Sequence, residues 1–303
     1  MLSQVELLKK YDLRVRGHLG QHLLMDPNTI RKIVDALDLQ PGDQVFEIGP
    51  GLGAVTREVL RRGFPLLAVE TDPKFVEVLT QELLPEFSGN FKLVHDDILK
   101  SDPKKLIGDW AGPAAKVKVI GNLPYYISTP ILFHLAEHSK VFSSAVMMLQ
   151  KEVAARLTAQ AGDEDYGRLS VTSRFHGETE FLFDVSPACF LPRPEVMSRV
   201  IRYTFRPFPS ATPVRDEGRL LELVRIAFSQ RRKTLLSLLV HELNPKRERG
   251  DLERILEGLG WSLKVRGETL SLEQYIALVA ALEAARGTAN PTGAWVKTPG
   301  GSR

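Results

Sequence analysis

Short apolar runs alternate with segments of helical periodicity through the first two-thirds of the chain. The runs are four or five residues long and rich in branched side chains, which favours strands. The predicted strands are Gln44–Ile48, Leu66–Glu70, Lys92–His95, Val117–Ile120 and Ala145–Leu149. Apolar residues recur at helical spacing between them, in Ala54–Arg62, Pro73–Leu84 and Pro130–Glu137. This alternation predicts an α/β fold: a Rossmann-like, doubly wound and mostly parallel sheet with helices on both faces.

The last third of the chain follows a different pattern. Two more strand-like runs, Glu180–Val185 and Arg199–Phe205, are expected to complete the sheet as an antiparallel edge hairpin, and the Pro-rich stretch Arg206–Pro213 is typical of a linker. Four amphipathic helices are predicted beyond it, over Glu217–Ser229, Lys233–Leu243, Leu252–Leu259 and Leu272–Ala285. We therefore predict a catalytic domain over residues 1–205, a small all-α domain over 206–285 and a disordered tail over 286–303.

Composition narrows the class of protein. The 303 residues contain no apolar stretch of membrane-spanning length. Cys189 is the only cysteine, so internal disulfides and clustered-thiol metal sites are excluded, and a reducing cytoplasm is the simplest setting. The seven histidines show no metal-ligand spacing, and no metal site is expected.

Charge is distributed unevenly along the chain. The net charge is +3, but residues 199–233 contain nine Lys or Arg residues against three acids. A basic block beside a mildly acidic body indicates a polyanion-binding surface next to a site for a cationic small molecule. A solvated basic helix face would give the same pattern, so charge alone does not decide.

The turn Gly121-Asn122-Leu123-Pro124-Tyr125-Tyr126 follows a predicted strand and suits the handling of a planar exocyclic amine. The nitrogen of such an amine is a poor nucleophile because its lone pair is delocalised into the ring. Two fixed acceptors, the Asn122 side-chain oxygen and the Leu123 carbonyl, would favour pyramidal nitrogen and expose that lone pair. Tyr125 would offer a face on which the base can stack, whereas Tyr126 is expected to pack. An ordinary strand-to-loop turn is the alternative.

A glycine-rich segment, Glu47–Gly53, lies where the first predicted strand passes into a helix. Gly49 and Gly51 would let a ligand approach the backbone closely. With Ala54 the segment also satisfies the dinucleotide pattern G-x-G-x-x-[G/A], and Glu70 lies where a ribose-binding acid is expected. Either a nicotinamide or flavin dinucleotide or S-adenosylmethionine would therefore fit this segment.

Three features favour S-adenosylmethionine. Glu47 directly precedes the glycines, where an acid suits sulfonium and ammonium charges better than a pyrophosphate. Asp97 closes the third strand, where it can accept a hydrogen bond from an adenine amine. The fourth strand ends in the turn at Asn122, whose chemistry calls for a methyl donor and not a hydride donor. These residues lie at the strand ends, where open sheets of this kind bind ligands.

The ordered motifs of the chain resemble those of the rRNA adenine N6-dimethyltransferase family, in particular its bacterial small-subunit type. The resemblance runs from about residue 17 to residue 285. The motifs that carry it are Gly20-Gln21-His22-Leu23-Leu24, Glu47–Gly53, Val69–Asp72, Asp97–Leu99, Asn122–Ser128, Gln150–Ala154, Phe190–Pro194 and Ala227–Leu235.

The resemblance implies S-adenosylmethionine as methyl donor and no metal. It also implies transfer of two methyl groups to each of two adjacent adenosines in a hairpin near the 3′ end of small-subunit (16S) rRNA, within a pre-30S particle. By position, the cofactor site would be lined by His22, Leu24, Gly49, Glu70, Asp97 and Asn122. Glu70 would hold the ribose hydroxyls and Asp97 the adenine. Phe190 would join Tyr125 in sandwiching the target base.

Two departures from the family pattern stand out. The family usually has Asn-Phe where this chain has His22-Leu23, which puts the character of the cofactor contact at position 22 in doubt. It usually has Lys-Val-Asp-Ser where this chain has Glu195-Val196-Met197-Ser198. The second departure puts the local loop contacts in doubt but not the chemistry at Asn122.

The basic triplet Arg231-Arg232-Lys233 is predicted to begin a helix and to contact RNA phosphates, although a solvated helix start is the alternative. A large-subunit rRNA adenine methyltransferase is the nearest other enzyme. A DNA adenine methyltransferase is less favoured, because the basic helical domain suits rRNA. A non-catalytic nucleic-acid-binding assembly or transcription factor on the same fold is the alternative from another class. The protein is expected to be a monomer.

Overall fold

The fold was analysed on a computed structural model, which describes residues 2–15, 17, 21–108, 110–111, 116–206 and 217–287. The tail predicted over 286–303 lies outside these residues from position 288 onward, and so does most of the predicted linker. The strands are β1 (Leu23–Leu24), β2 (Asp43–Ile48), β3 (Leu66–Glu70), β4 (Phe91–His95), β5 (Lys116–Asn122), β6 (Phe142–Gln150), β7 (Gly177–Val185), β8 (Phe190–Leu191) and β9 (Ser198–Phe205).

The helices alternate with the strands in the first two-thirds of the chain and then follow one another. They are α1 (Gln4–Lys10), α2 (Pro27–Asp35), α3 (Ala54–Arg61), α4 (Pro73–Glu82), α5 (Pro103–Gly108), α6 (Ser128–Glu137), α7 (Lys151–Thr158), α8 (Arg168–His176), α9 (Glu217–Ala227), α10 (Leu235–Glu242), α11 (Arg249–Gly258) and α12 (Leu272–Gly287). Every strand and helix predicted from the apolar pattern is present, with ends that differ by up to three residues.

Seven strands form one sheet in the order β4-β3-β2-β5-β6-β9-β7. The first five strands of this order are parallel to one another, whereas β9 is antiparallel to both β6 and β7. The predicted fold class and the antiparallel edge hairpin are both confirmed. Strands β2, β3 and β5 are buried along most of their length, as expected for parallel strands covered by helices on both faces.

The strand order reverses direction between β2 and β5, because the chain runs outward through β3 and β4 before it returns to β5. Ile48 pairs with Gly121 across this point. The glycine-rich turn after β2 and Asn122 at the end of β5 are therefore neighbours. Open α/β sheets bind their ligands in the crevice at such a reversal.

Helix starts next to this crevice are set by capping residues. Asp72 caps α4 by accepting a hydrogen bond from the Lys74 N–H, and Pro73 occupies the first helical position. Asp26 caps α2 in the same way through Thr29, again followed by a proline. An Asp-Pro pair stops the preceding segment and starts a helix, since proline at the first position sacrifices no hydrogen bond.

A small two-stranded sheet, β1 with β8, joins two distant parts of the chain. Leu24 pairs with Phe190, and the Met25 N–H donates to the Cys189 carbonyl. All of these residues belong to the first of two compact units, which comprises Met1–Ala159 and Ser173–Ser210.

The second unit comprises Gln160–Thr172 and Ala211–Arg303. Its four C-terminal helices enclose an apolar core of leucines with Tyr275, which is fully buried. The segment Gln160–Thr172 belongs to this unit, whereas the predicted boundaries place it in the catalytic domain of residues 1–205. The Tyr166 hydroxyl donates to the Leu270 carbonyl at 2.7 Å, which attaches the segment to the core of the second unit.

Helix α10 begins at Leu235, after Thr234, whose hydroxyl accepts a hydrogen bond from the Ser237 N–H. The expectation that Arg231-Arg232-Lys233 begins a helix is therefore wrong, because the cap at Thr234 starts the helix two residues after the triplet ends. The triplet occupies the turn between α9 and α10. Within the described residues, no helix has both the length and the apolar character that a membrane span requires.

Candidate active site at the strand ends

The orientation of the Asn122 carboxamide is set by a backbone carbonyl. Its Nδ2 donates to the His22 carbonyl oxygen at 2.8 Å. A carbonyl can only accept, so the amide nitrogen must face it, and Oδ1 is left on the other side of the group. Oδ1 accepts no hydrogen bond from the described residues. The side chain is thus held as an acceptor at the end of β5, next to the crevice.

Leu123 supplies the second expected acceptor through its main chain. Its N–H donates to the Met148 carbonyl at 3.3 Å, and its side chain is buried. These contacts anchor the residue against β6. Its carbonyl oxygen accepts no hydrogen bond from any described residue, so it has the bonding capacity that the amine-binding role requires.

Tyr125 and His22 stack on each other, with ring centroids 5.7 Å apart and planes at 27°. The Tyr125 hydroxyl shares a hydrogen bond of 2.8 Å with the Ser198 hydroxyl. His22 Nδ1 lies 2.8 Å from the Pro192 carbonyl, so this nitrogen carries the proton. His22 therefore connects the turn at Asn122 to the loop after β8 through its ring and its carbonyl. A target base would have to stack on the face of Tyr125 that His22 does not cover.

Phe190 differs from Tyr125 in its surroundings. Its side chain is 3% exposed and belongs to the apolar core of the first unit, together with Leu24 and Val200. A flipped base reaches the Phe190 ring only if neighbouring side chains move. The stacking role of Phe190 stays a prediction.

Tyr126 is 71% exposed, so the expectation that it packs against the protein is wrong. Other exposed apolar side chains of this unit include Leu191 in β8 and Val196 and Met197 after it. Val196 and Met197 belong to the loop that departs from the family pattern, and Glu195 beside them is also exposed. The second departure therefore changes a solvent-facing surface and leaves the buried framework of the site intact.

The glycine turn is left-handed at Gly49 and Gly51, with φ of 66° and 57°. A side chain at either position would be strained, which explains glycine there. A Cβ added at Gly49 would meet nothing within 4 Å, so open space adjoins the backbone. The sheet end thus has room for a ligand to contact the main chain.

Glu70 secures this turn from the adjacent strand. One carboxylate oxygen accepts from the Gly51 N–H at 3.1 Å, and the other accepts from the Thr71 and Asp72 N–H groups at 2.8 and 2.9 Å. Burial raises the pKa of the Glu70 carboxyl, although the three N–H groups act in the opposite direction. The oxygen that accepts from Gly51 keeps a free lone-pair site, so Glu70 can position the turn and still accept from a ribose hydroxyl.

Glu47 lies behind the turn and is 3% exposed. It accepts a hydrogen bond of 2.6 Å from the Thr56 hydroxyl. Burial raises the pKa of Glu47 to about 8, so its carboxyl is largely protonated at neutral pH. Desolvation thus opposes the expected role of Glu47 as a negative charge for a cationic cofactor, and that role stays a prediction.

Asp97 follows β4, and the N–H of its neighbour Asp96 donates to the Glu70 carbonyl at 3.1 Å. One Asp97 oxygen accepts from the Leu99 N–H at 3.1 Å, and the other lies 3.3 Å from Lys100 Nζ. The side chain is about one-third exposed. These contacts hold a solvent-accessible acceptor one strand away from Glu70, at a position suited to an adenine amine.

The residues present fit S-adenosylmethionine. The open space beside Gly49 lets a ligand contact the main chain. The acids at two consecutive strand ends, Glu70 and Asp97, suit the ribose and the adenine. The acceptor at Asn122 suits the amine that receives the methyl group. Their separate roles in binding the cofactor remain predictions.

The basic triplet of the second unit is not uniform. Arg231 pairs with the Glu268 carboxylate at 2.6 Å and donates to the Glu164 carbonyl at 2.7 Å. Arg232 and Lys233 are exposed, and no ion pair holds either of them within the described residues. Arg231 is thus held by contacts within the protein, whereas Arg232 and Lys233 remain available to bind phosphates.

One group of residues escaped the sequence analysis. His134, Glu137 and His138 each offer a ligand atom, and these atoms lie within 4.8 Å of one another. The expectation that no histidines have metal-ligand spacing is therefore wrong. The signal was the i, i+3, i+4 spacing on a predicted helix, which brings the three side chains to one face.

Known proteins share this architecture. The ribosomal RNA adenine dimethylase family matches residues 13–278. A protein of Geobacillus sp. (strain WCH70) called ribosomal RNA small subunit methyltransferase A is 39% identical over 92% of this chain and 95% of its own. A protein of the same name from Bacillus cereus (strain B4264) is 39% identical over 91% and 94%.

Two solved structures extend the likeness to the fold. A dimethyladenosine transferase from Plasmodium falciparum has a TM-score of 0.71 and 25% identity, covering 86% of this chain and 98% of its own. The 23S rRNA methyltransferase ErmE has a TM-score of 0.65 and 26% identity, covering 86% and 99%. Both similarities extend over most of this chain.

Proposed function

Since the chain belongs to the ribosomal RNA adenine dimethylase family and is a methyltransferase, we propose that it dimethylates two adjacent adenosines of small-subunit rRNA at N6. The methyl donor is S-adenosylmethionine. The target is the hairpin near the 3′ end of 16S rRNA, presented in the cytoplasm by a pre-30S particle. The protein acts as a monomer.

The observation that carries this proposal is the fixed orientation of Asn122. Its amide nitrogen is committed to the His22 carbonyl, so its oxygen is left free to accept a hydrogen bond. An amine N–H that donates to this oxygen, with a second donating to the Leu123 carbonyl, holds the nitrogen in a pyramidal geometry. The lone pair then points at the methyl group instead of into the purine ring.

The reaction needs alignment more than acid–base assistance. When bound, S-adenosylmethionine supplies a methyl group on a positively charged sulfur, which departs as a neutral thioether. Positioning the amine in line with that carbon contributes much of the rate enhancement. The methylated nitrogen carries the positive charge and loses its proton to solvent, so the site requires no strong base.

The target base must leave its stack before it can reach Asn122. Extrusion of a base costs roughly a few kcal/mol, and stacking on an aromatic ring returns roughly 1–3 kcal/mol per base. Tyr125 is fixed for this purpose by its hydrogen bond to Ser198 and by the His22 ring behind it. The exposed Tyr126 and Leu191 add apolar surface for neighbouring nucleotides.

A large-subunit target is the second candidate, because ErmE aligns with most of this chain at a TM-score of 0.65. The two relatives at 39% identity, however, are named as small-subunit methyltransferases, and their match to this chain covers almost their whole length. This difference in identity favours the small-subunit target. The free acceptor at Asn122 and the intact glycine turn argue against a non-catalytic factor.

Mass spectrometry of RNA from treated ribosomal particles tests the proposal. Small subunits, large subunits and free 16S rRNA that lack these methyl groups are incubated with the protein and S-adenosylmethionine, and the RNA is digested and analysed. We expect two adjacent dimethyladenosines near the 3′ end of 16S rRNA. Methylation of large-subunit RNA alone would establish the second candidate, and no methylation of any RNA would refute both.

A further inference from the structure

A cluster of metal-binding side chains lies at the end of α6. His134, Glu137 and His138 occupy positions i, i+3 and i+4, and one ligand atom from each lies within 4.8 Å of the others. Asp102, in the turn before α5, adds a second carboxylate, since its Oδ1 is 3.6 Å from His138 Nε2. Three groups of α6 therefore lie together, and a carboxylate from a separate segment lies beside one of them.

Hydrogen bonds fix both imidazoles in tautomers that leave a lone pair available. His134 Nε2 lies 3.0 Å from the Ser101 carbonyl, and His138 Nδ1 lies 2.9 Å from the His134 carbonyl. Each of these nitrogens must carry the proton, because carbonyls only accept. The lone pairs are therefore on His134 Nδ1 and His138 Nε2. Histidines that bind metals are oriented in this way, with the other ring nitrogen donating to a carbonyl or carboxylate.

The two carboxylates are accessible from solvent and can rearrange. Glu137 is exposed and forms no ion pair with any described residue. The Asp102 side chain is 40% exposed, and only its Oδ1 is engaged as the cap of α5, by the Lys104 and Lys105 N–H groups. The other oxygen, Oδ2, accepts no hydrogen bond from described residues. An incoming cation would thus find ligands that need not give up existing partners.

We propose that His134, Glu137 and His138, with Asp102 as the fourth ligand, bind a divalent transition-metal ion such as Zn²⁺. Two imidazoles and two carboxylates suit borderline-soft ions, whereas Mg²⁺ prefers an all-oxygen shell. Bond lengths of about 2.0–2.2 Å place the ligands of a tetrahedral zinc ion about 3.3 Å apart. The cluster reaches this geometry by side-chain rotations of the exposed Glu137 and Asp102.

The bound ion would link two parts of the candidate active site. Asp102 follows the turn that starts at Asp97, whose carbonyl accepts from the Ser101 N–H at 2.9 Å. Helix α6 follows the turn that contains Asn122. The metal therefore joins the segment that follows the expected adenine-binding acid to the C-terminal end of the helix that follows the amine acceptor.

The alternative is that the histidines only stabilise the end of α6. His138 is the C-cap residue, and imidazolium groups at that end interact favourably with the helix dipole. Such a role needs neither the carboxylate of Glu137 nor an unprotonated nitrogen. Variants that keep every hydrogen bond but delete the metal-binding atoms separate the two roles.

The test is titration of the full-length, chelator-treated protein with Zn²⁺, followed by calorimetry and by metal analysis after dialysis. His134→Gln keeps a donor at the position of Nε2, and His138→Asn keeps one at the position of Nδ1, so both preserve the carbonyl hydrogen bonds. Glu137→Gln changes only an exposed carboxylate. His241→Asn, at an exposed position of α10, is the matched control.

We expect one Zn²⁺ per chain in the wild type and in His241→Asn, with a melting temperature that rises with Zn²⁺ and not with Mg²⁺. Each site variant should lose at least about tenfold in affinity, the scale seen even for the outer partners of metal ligands. The metal-free melting temperatures should match that of the wild type. Absence of stoichiometric binding, or equal affinity in the site variants and the control, would overturn the proposal.

Discussion

Asn122 Nδ2 donates a hydrogen bond of 2.8 Å to the backbone carbonyl of His22. The two residues are a hundred positions apart, and the contact joins the N-terminal segment to the end of β5. It determines which atom of the carboxamide faces the site, because only the amide nitrogen can face a carbonyl. The acceptor on which methyl transfer depends is thus positioned by a main-chain group.

Asn122→Ala should abolish most methyl transfer while cofactor binding persists. The substitution removes an acceptor that acts where charge develops on the amine, and loss of one such group typically costs about 10²- to 10³-fold in rate. Transfer of tritium from labelled S-adenosylmethionine to rRNA measures the rate, and calorimetry measures cofactor affinity. Asn28→Ala, at an exposed position of α2, is the control. Wild-type turnover in Asn122→Ala would remove the proposed role.

Glu70→Ala should weaken cofactor binding and also destabilise the protein. The carboxylate accepts from three backbone N–H groups, including that of Gly51, so its removal leaves buried donors unpaired and frees the glycine turn. An unsatisfied buried group costs about 1–3 kcal/mol. Glu70→Gln keeps one acceptor oxygen, so its cofactor affinity and melting temperature should lie between those of the wild type and of Glu70→Ala. In Glu70→Ala the calorimetric affinity for the cofactor and the melting temperature should decline in parallel. Unchanged values for both would contradict the role of Glu70 in securing the glycine turn.

Glu47 should make stability fall as pH rises. Below its unfolded pKa of 4.5 the carboxyl is protonated in both states. Between 4.5 and about 8 the unfolded chain is ionised but the folded protein holds the proton, so folding becomes less favourable with each pH unit. At about 1.4 kcal/mol per unit, the loss across this window is on the order of a few kcal/mol.

Glu47→Gln should flatten that profile, since glutamine can still accept from Thr56 but does not titrate. The measurement is the melting temperature of the first unfolding transition between about pH 5 and pH 8. Glu77→Gln, which removes an exposed carboxylate of α4, should leave the slope unchanged. An identical slope in Glu47→Gln and the wild type would show that Glu47 is ionised in the folded protein.

The sheet could be predicted from the sequence because each of its strands is marked by a local pattern of apolar residues. Parallel strands buried on both faces are continuous apolar runs, and the helices predicted between them show helical spacing of apolar residues. The C-terminal triplet shows where this reasoning fails. A basic run was expected to start a helix, but the cap at Thr234 controls the start, since its side chain satisfies a free N–H group.

The placement of the candidate residues in the fold was predictable, but their electrostatics were not. The ends of β2, β3, β4 and β5 were expected to carry the ligand-binding groups, and the sheet order brings them to one edge. The neutrality of Glu47 could not be read from the sequence, because burial depends on α3 covering the strand. Likewise, the link from His22 to Asn122 joins segments a hundred residues apart, which no local pattern reveals.

Arg232 and Lys233 should contribute to the salt dependence of RNA binding, whereas Arg231 should contribute mainly to stability. Replacing Arg232 and Lys233 with alanine should reduce the slope of log affinity against log salt by about one per lost phosphate contact. Arg231→Ala should lower the melting temperature, because it breaks the ion pair with Glu268. Arg254→Ala, at an exposed position of α11, is the control. An unchanged slope in the double variant would exclude phosphate contacts.

Tyr125 should act through its ring and not through its hydroxyl. The hydroxyl bonds to Ser198 and burial raises its pKa, so it stays protonated at neutral pH and is no base. Tyr125→Phe keeps the face that stacks and should retain most activity, whereas Tyr125→Ala should lose about ten- to a hundredfold, in line with roughly 1–3 kcal/mol of stacking per base. The loss should appear in kcat/KM for rRNA and not in cofactor affinity. If Tyr125→Phe is as impaired as Tyr125→Ala, the hydroxyl and its bond to Ser198 are the functional element, and the base must be held by another surface.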